Sequence, residues 1–139
     1  HMSIGQGDLL ATPLQVSHMT SVIASTGKLC KPHLVLDTPA KCEDLKLNEE
    51  TVKIVKEGMV GACSAGGTAY PLFTFKPQIA CKTGTAQFAL EKTHAWLTAF
   101  APTDDPGLVV TAFVEGGGEG SRVAAPVVKK VLEHYFKTQ

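Results

Sequence analysis

Apolar and polar positions recur with two different periods along the chain, and each change of period marks an element. Leu14, Met19, Val22 and Ile23 follow at helical spacing behind Thr12-Pro13-Leu14-Gln15, which combines a capping-box pattern with proline at the first helical position. This predicts a helix whose four apolar residues face a core and whose stop is Gly27-Lys28. A second helix is predicted after Asn48, its cap, with Glu49 and Glu50 in the first turn, where the helix dipole favours them. Val52, Val55, Met59 and Ala62 share one side of it, and Ser64-Ala65-Gly66-Gly67 ends it. A last helix is expected from Ala124, with Pro126 near its start and a stripe of Val127, Val128, Val131, Leu132 and Tyr135. Lys129, Lys130 and Glu133 solvate its other side. His18 has no evident partner, and a surface or core role is expected for it rather than a catalytic one.

Elsewhere the period shortens to two. Residues 78–88, 94–101 and 108–115 read as strands, joined by residues 89–93 and by Thr103-Asp104-Asp105-Pro106-Gly107. Trp96 and Phe100 alternate with Ala95, Leu97 and Ala99, and Val109 and Phe113 alternate with Leu108, Val110 and Val114. Neither strand has a polar face, so both faces of the sheet must be covered. The expected fold class is α+β, a three-stranded antiparallel meander covered by helices. Residues 31–46 are expected to form surface connection, with residues 33–36 extended and Asp37-Thr38-Pro39 turning.

Composition narrows the function classes. The chain has 139 residues, 44% of them hydrophobic, which suffices for one domain burying about two-thirds of its unfolded surface. Thirteen basic and thirteen acidic residues balance, with no basic run to follow a phosphate backbone, so nucleic acid is not an expected partner. No window approaches the roughly 18 apolar residues of a membrane span. His1-Met2 reads as a cloning scar, leaving residues 3–139 as one unit whose targeting or anchoring segment is expected upstream. Cys30, Cys42, Cys63 and Cys81 lack C-x-x-C spacing and a histidine at a metal-ligand interval, so no metal or other cofactor is expected. Four cysteines allow three full pairings, and a free buried thiol is the default for Cys63. No disulfide is assigned. The glycine-rich stretch 116–120 lacks the spacing and lysine of a phosphate loop and is expected to be a flexible loop.

The candidate chemistry lies in QIACKTGTAQF, residues 78–88. A strand that narrows to Lys82-Thr83-Gly84-Thr85 has a gap in its side-chain wall, and a strand glycine marks close approach by a ligand or another backbone. Lys82 places a positive charge at the rim, and Thr83 and Thr85 bring hydroxyls to the other face. Together they suit an anionic, peptide-like guest. Lys-Thr-Gly is also one of three short motifs of serine β-lactamases and penicillin-binding proteins. Around it stand GQGDLLATPLQ (5–15), GGTAYP (66–71), CKTGTAQ (81–87), HAWLTAFAP (94–102) and VEGGGEGSRVAAP (114–126). On these stretches, in this order, the sequence resembles the C-terminal part of the transpeptidase domain of class B penicillin-binding proteins. Cys81 departs from the small glycine or alanine more often found there.

The resemblance implies a partial β-lactamase/transpeptidase-like fold, lacking the N-terminal strands and the nucleophile helix. It implies that Lys82 is catalytic, within the network that moves the nucleophile's protons. Thr83, Gly84 and Thr85 would bind substrate, with a threonine hydroxyl on the carboxylate of a D-alanyl-D-alanine stem peptide or a β-lactam and the Thr85 N–H as an oxyanion donor. The parent would be a D,D-transpeptidase of peptidoglycan synthesis on the extracytoplasmic face of a bacterial membrane. A β-lactam sensor and a serine β-lactamase are the alternatives. The nucleophile is absent from this chain: the lone S-x-x-K match, Ser25-Thr26-Gly27-Lys28, spans a helix end, and no S-x-N occurs. The chain alone is therefore expected to be inactive. Two strands missing from the family's five-stranded sheet would expose the edge of residues 108–115, which is expected to self-associate or to be covered by residues 3–10.

Overall fold

The computed structural model describes residues 6–138, so His1 and Met2 and residues 3–5 of the proposed N-terminal cover lie outside the described residues. The order is α1 (Pro13–Ala24), β1 (Lys28–Cys30), β2 (Cys42–Asp44), α2 (Glu49–Ala62), β3 (Ala80–Ala89), β4 (Lys92–Ala101), β5 (Leu108–Val114) and α3 (Gly120–Lys137), with a 3₁₀ turn at Tyr70–Leu72. Strands β3, β4 and β5 form the expected antiparallel meander, in register Lys82–Thr98, Gly84–Trp96 and Trp96–Phe113. The fold is α+β, as the residue pattern requires.

Both sheet faces are covered. One carries Cys81, Leu97, Ala99 and Ala112 and packs against Ala124, Ala125, Val128 and Leu132 of α3. On the other, Ala80, Phe100 and Val109 meet Ile23 and Ala24 of α1 and Met59 and Val60 of α2. Thr20, 1% exposed, docks α1 there through a chain of hydroxyls. Its Oγ1 donates to the Val16 carbonyl (2.9 Å), so it accepts from Thr98 (2.8 Å), which in turn accepts from Thr111 (2.8 Å). Each hydroxyl has one proton, which fixes that direction.

The caps form as read: Thr12 and Gln15 close a reciprocal capping box, and Asn48 accepts from the Thr51 N–H. The faces need correction. Leu14 and Met19 are 64% and 61% exposed, because α1 docks through Thr20, Ile23 and Ala24 and leaves those two on its flanks. Val55 is exposed likewise, since α2 buries Val52 and turns Met59, Val60 and Cys63 inward. Helix α3 starts at Gly120, four residues before the expected Ala124, which puts Pro126 inside it. Its buried stripe is Ser121, Ala124, Ala125, Val128 and Leu132, so Val127 and Val131 are exposed.

Residues 28–44 hold a hairpin that the sequence reading treats as plain connection. Lys28, Leu29 and Cys30 pair with Asp44, Glu43 and Cys42, and a Cys30–Cys42 disulfide joins the last pair. His18 Nε2 donates to the Cys30 carbonyl (2.7 Å) and so ties α1 to this hairpin. The second disulfide, Cys63–Cys81, corrects the expectation of a free thiol at Cys63. Lys56 closes the seam between α1 and α2: its Nζ donates to the Ala24 carbonyl (2.9 Å) and to Thr26 Oγ1 (3.0 Å). Partial burial holds its pKa below the usual lysine range. No helix among the described residues is long and apolar enough to cross a membrane.

Candidate active site

Strand β3 lies at one edge of its sheet, with β4 as its strand neighbour, and this position gives the Lys-Thr-Gly segment its character. In an antiparallel ladder the N–H and C=O of one residue point to the same side, and successive residues alternate. The Thr83 carbonyl accepts from Lys82 Nζ (2.6 Å), and the Thr85 carbonyl accepts from Gln6 Nε2 (3.2 Å). Thr83 and Thr85 therefore face the open edge, while Lys82 and Gly84 bond to Thr98 and Trp96 of β4.

The side chains at that edge converge from distant parts of the chain. Thr83 Oγ1 lies 2.8 Å from Thr68 Oγ1, in the turn after α2. The Gly120 N–H, at the start of α3, donates to Thr85 Oγ1 (3.4 Å). Glu119, the N-cap of α3, supplies no side-chain cap bond, so Thr85 serves one of the helix's unpaired donors from outside. Because Thr85 accepts that bond, its own proton is left for a guest. In the Thr68–Thr83 pair one hydroxyl donates to the other, and the acceptor keeps its proton in the same way. The edge thus presents two hydroxyl protons, two N–H groups and the exposed Lys82 ammonium, while both of its outward carbonyls already have partners. Such a donor-rich rim suits a carboxylate and a developing oxyanion.

Gly84 is tightly enclosed. A Cβ there would lie 3.1 Å from Trp96 Cβ across the strands. From the opposite face the Gly120 backbone comes in so closely that a Cβ on Gly120 would collide with the Gly84 and Trp96 carbonyl oxygens. The close backbone approach expected at this glycine is thus made by α3. Lys82, Thr83, Gly84 and Thr85 all lie where the sequence reading puts them, on one edge strand. Sequence reasoning misses Thr68, Gln6 and Gly120 as members of the site, although each falls in one of the quoted stretches. Ser25 lies elsewhere, at the C-terminal end of α1, where its hydroxyl donates to the Val22 (3.3 Å) and Lys28 (3.0 Å) carbonyls.

An α+β sheet whose edge strand carries Lys-Thr-Gly on an open, donor-rich side has the arrangement of the serine β-lactamase and penicillin-binding superfamily. Residues 1–133 match the family model of the penicillin binding protein transpeptidase domain. The chain belongs to that family. Among curated relatives it is 35% identical to the peptidoglycan D,D-transpeptidase MrdA of Haemophilus influenzae, over 97% of this chain and 25% of the relative. It is 32% identical to the peptidoglycan D,D-transpeptidase PbpA of Mycolicibacterium smegmatis, over 94% of this chain and 30% of the relative. Among solved structures it superposes on penicillin-binding protein PBP2 of Helicobacter pylori in complex with MreC, with a TM-score of 0.84 and 38% identity, covering 96% of this chain and 26% of that one. It likewise matches penicillin-binding protein A of M. tuberculosis as an imipenem acyl-enzyme, with a TM-score of 0.80 and 33% identity, covering 96% and 33%. The chain spans about a quarter of the length of the first of these relatives.

Proposed function

We propose that the protein to which this chain belongs is a peptidoglycan D,D-transpeptidase, and that β3 is the wall along which its acyl donor lies. The observation that carries this reading is the donor-rich open edge: the outward N–H groups of Thr83 and Thr85, the hydroxyls of Thr68, Thr83 and Thr85, and Lys82. In this reading the threonine hydroxyls hold the carboxylate of a D-alanyl-D-alanine stem or a β-lactam, the Thr85 N–H receives the oxyanion, and Lys82 manages protons at a serine supplied from elsewhere in the protein. Two disulfides in so small a unit accord with an oxidising compartment, and we place the protein's activity on the extracytoplasmic side of the membrane.

Labelling with a fluorescent penicillin tests this reading. The intact protein is expected to acquire one covalent adduct at a serine outside residues 1–139. The chain alone is expected to acquire none, because the only S-x-x-K serine, Ser25, donates to backbone carbonyls at a helix end and has no lysine partner. An adduct on Ser25 would overturn the assignment.

The other sheet edge has a consequence for the chain on its own. By the same alternation, Val109, Thr111 and Phe113 of β5 turn their N–H and C=O groups away from β4, and no strand pairs with them among the described residues. Gln6, the first described residue of the expected N-terminal cover, sits at β3 instead, on the far edge. We therefore keep self-association through β5 as a proposal for the isolated chain. A few backbone bonds of roughly 0.5–1.5 kcal/mol each make a weak dimer. Sedimentation over a dilution series should show concentration-dependent association, and a strictly monomeric chain would contradict it.

A further inference from the structure

We infer that the Cys63–Cys81 disulfide is a positioning crosslink for the candidate active site: it sets the place of the Lys-Thr-Gly wall relative to Thr68, and acyl transfer in the intact protein depends on it. The inference rests on the function proposed above. Cys81 immediately precedes Lys82 on β3 and is fully buried, and Cys63 is the C-cap of α2, 5% exposed. By strand alternation Cys81 shares its face with Thr83, two residues on, and Lys82 points to the opposite face.

Thr68 and Thr83 are both referenced to the C-terminal end of α2. On the Thr68 side the links are local. The Ala69 N–H donates to the Ala62 carbonyl (2.9 Å), the Gly67 N–H donates to the Ser64 carbonyl (2.8 Å), and Gly67 lies so close to the Gly61 and Ala62 carbonyls that no Cβ fits. On the Thr83 side the link is the disulfide, whose sulfurs join positions 18 residues apart. The 2.8 Å contact between Thr68 Oγ1 and Thr83 Oγ1 thus closes a ring that runs through the covalent bond. Among the described residues β3 has a strand neighbour on one side only, so within the sheet the ladder to β4 alone resists a shift toward the open edge. The disulfide opposes that shift from the face of the sheet, one residue before the lysine. The Cys30–Cys42 bond has no such place: it crosses an exposed hairpin that shares no strand with the site.

The pair of disulfides supplies its own control. In the intact protein, Cys63→Ala, which leaves the Cys81 thiol to fill its own space, and the double variant Cys63→Ala/Cys81→Ala are both expected to acylate with a labelled penicillin about tenfold or more slowly than the wild type, at a temperature well below melting. The Cys30→Ala/Cys42→Ala variant is expected to acylate at the wild-type rate. Each loss of a crosslink lowers the melting temperature, so melting alone does not separate the roles, whereas the acylation rate does. Amide exchange at Lys82 and Gly84, whose N–H groups bond to β4, reads the same device without any acylation and is expected to speed up only in the Cys63 and Cys81 variants. Wild-type acylation and wild-type exchange in those variants would overturn the inference and reduce the bond to a stabilising staple. If the wild-type protein takes no label, the proposed function fails, and the exchange measurement still decides the inference.

Discussion

Lys82→Ala in the intact protein is expected to slow acylation by penicillin by about 10²–10⁴-fold, the range that a positioned proton-transfer group contributes. The fold should be unaffected. The Lys82 side chain is exposed, its one hydrogen bond among the described residues is to the carbonyl of its own neighbour Thr83, and it lies outside both core clusters. Its removal costs the site a charge and frees one outward carbonyl, which can bond to water. Thr85→Val, in the same assay, should chiefly weaken recognition of the carboxylate, because it deletes the hydroxyl at nearly constant volume. It also leaves the Gly120 N–H without its acceptor. An acylation rate for Lys82→Ala within a factor of a few of the wild type would remove the lysine from the mechanism.

Gly120→Ala should be strongly destabilising for a single added methyl group. The new Cβ would be driven into the Gly84 and Trp96 carbonyl oxygens, which belong to the hydrogen-bonded centre of the β3–β4 ladder and cannot yield as a side-chain tip can. Overpacking of this kind costs about 1–3 kcal/mol, and more where backbone must move. Calorimetry on the protein carrying this unit should show melting lowered by about 5–10 °C. Gly58→Ala is the counterpart. It sits inside α2 with open space around it, and the change should stabilise by up to about 1 kcal/mol through helix propensity. Equal effects at the two positions would contradict the packing described for α3.

The contrast between these glycines shows what the sequence makes legible. Local signals read directly: Thr12 with Gln15 and Asn48 open their helices as expected, and the two-residue period of β4 and β5 calls for cover on both sides, which α1 and α3 provide. The docking faces of the helices do not read so well. Valine and leucine carry more hydrophobic weight than alanine, so the pattern favours Val127, Val131 and Leu14. The sheet instead takes the narrow stripe of Gly120, Ala124 and Ala125, where backbone can approach backbone, and the hydroxyl of Thr20, which finds partners across the interface. Hydropathy measures transfer from water and contains no term for such close approach. The β1–β2 hairpin escapes notice because each strand has only three residues, too few for a period.

The site divides in the same way. Lys82, Thr83, Gly84 and Thr85 are legible because one strand carries them in a short, recognisable order. Gln6, Thr68 and Gly120 come from 79, 15 and 35 residues away in sequence from the threonines they meet, and no local pattern encodes such meetings. The disulfides are hidden for a combinatorial reason, since four cysteines allow three full pairings and spacing prefers none.

The central claim is that the open edge of β3 is the acyl-donor wall. A crystal structure of the intact protein acylated by a penicillin tests it most directly. The account predicts the β-lactam carboxylate within hydrogen-bond distance of the Thr83 and Thr85 hydroxyls, and the acyl carbonyl oxygen on the Thr85 N–H. An acyl group bound away from β3, or one whose carboxylate meets neither threonine, would contradict it.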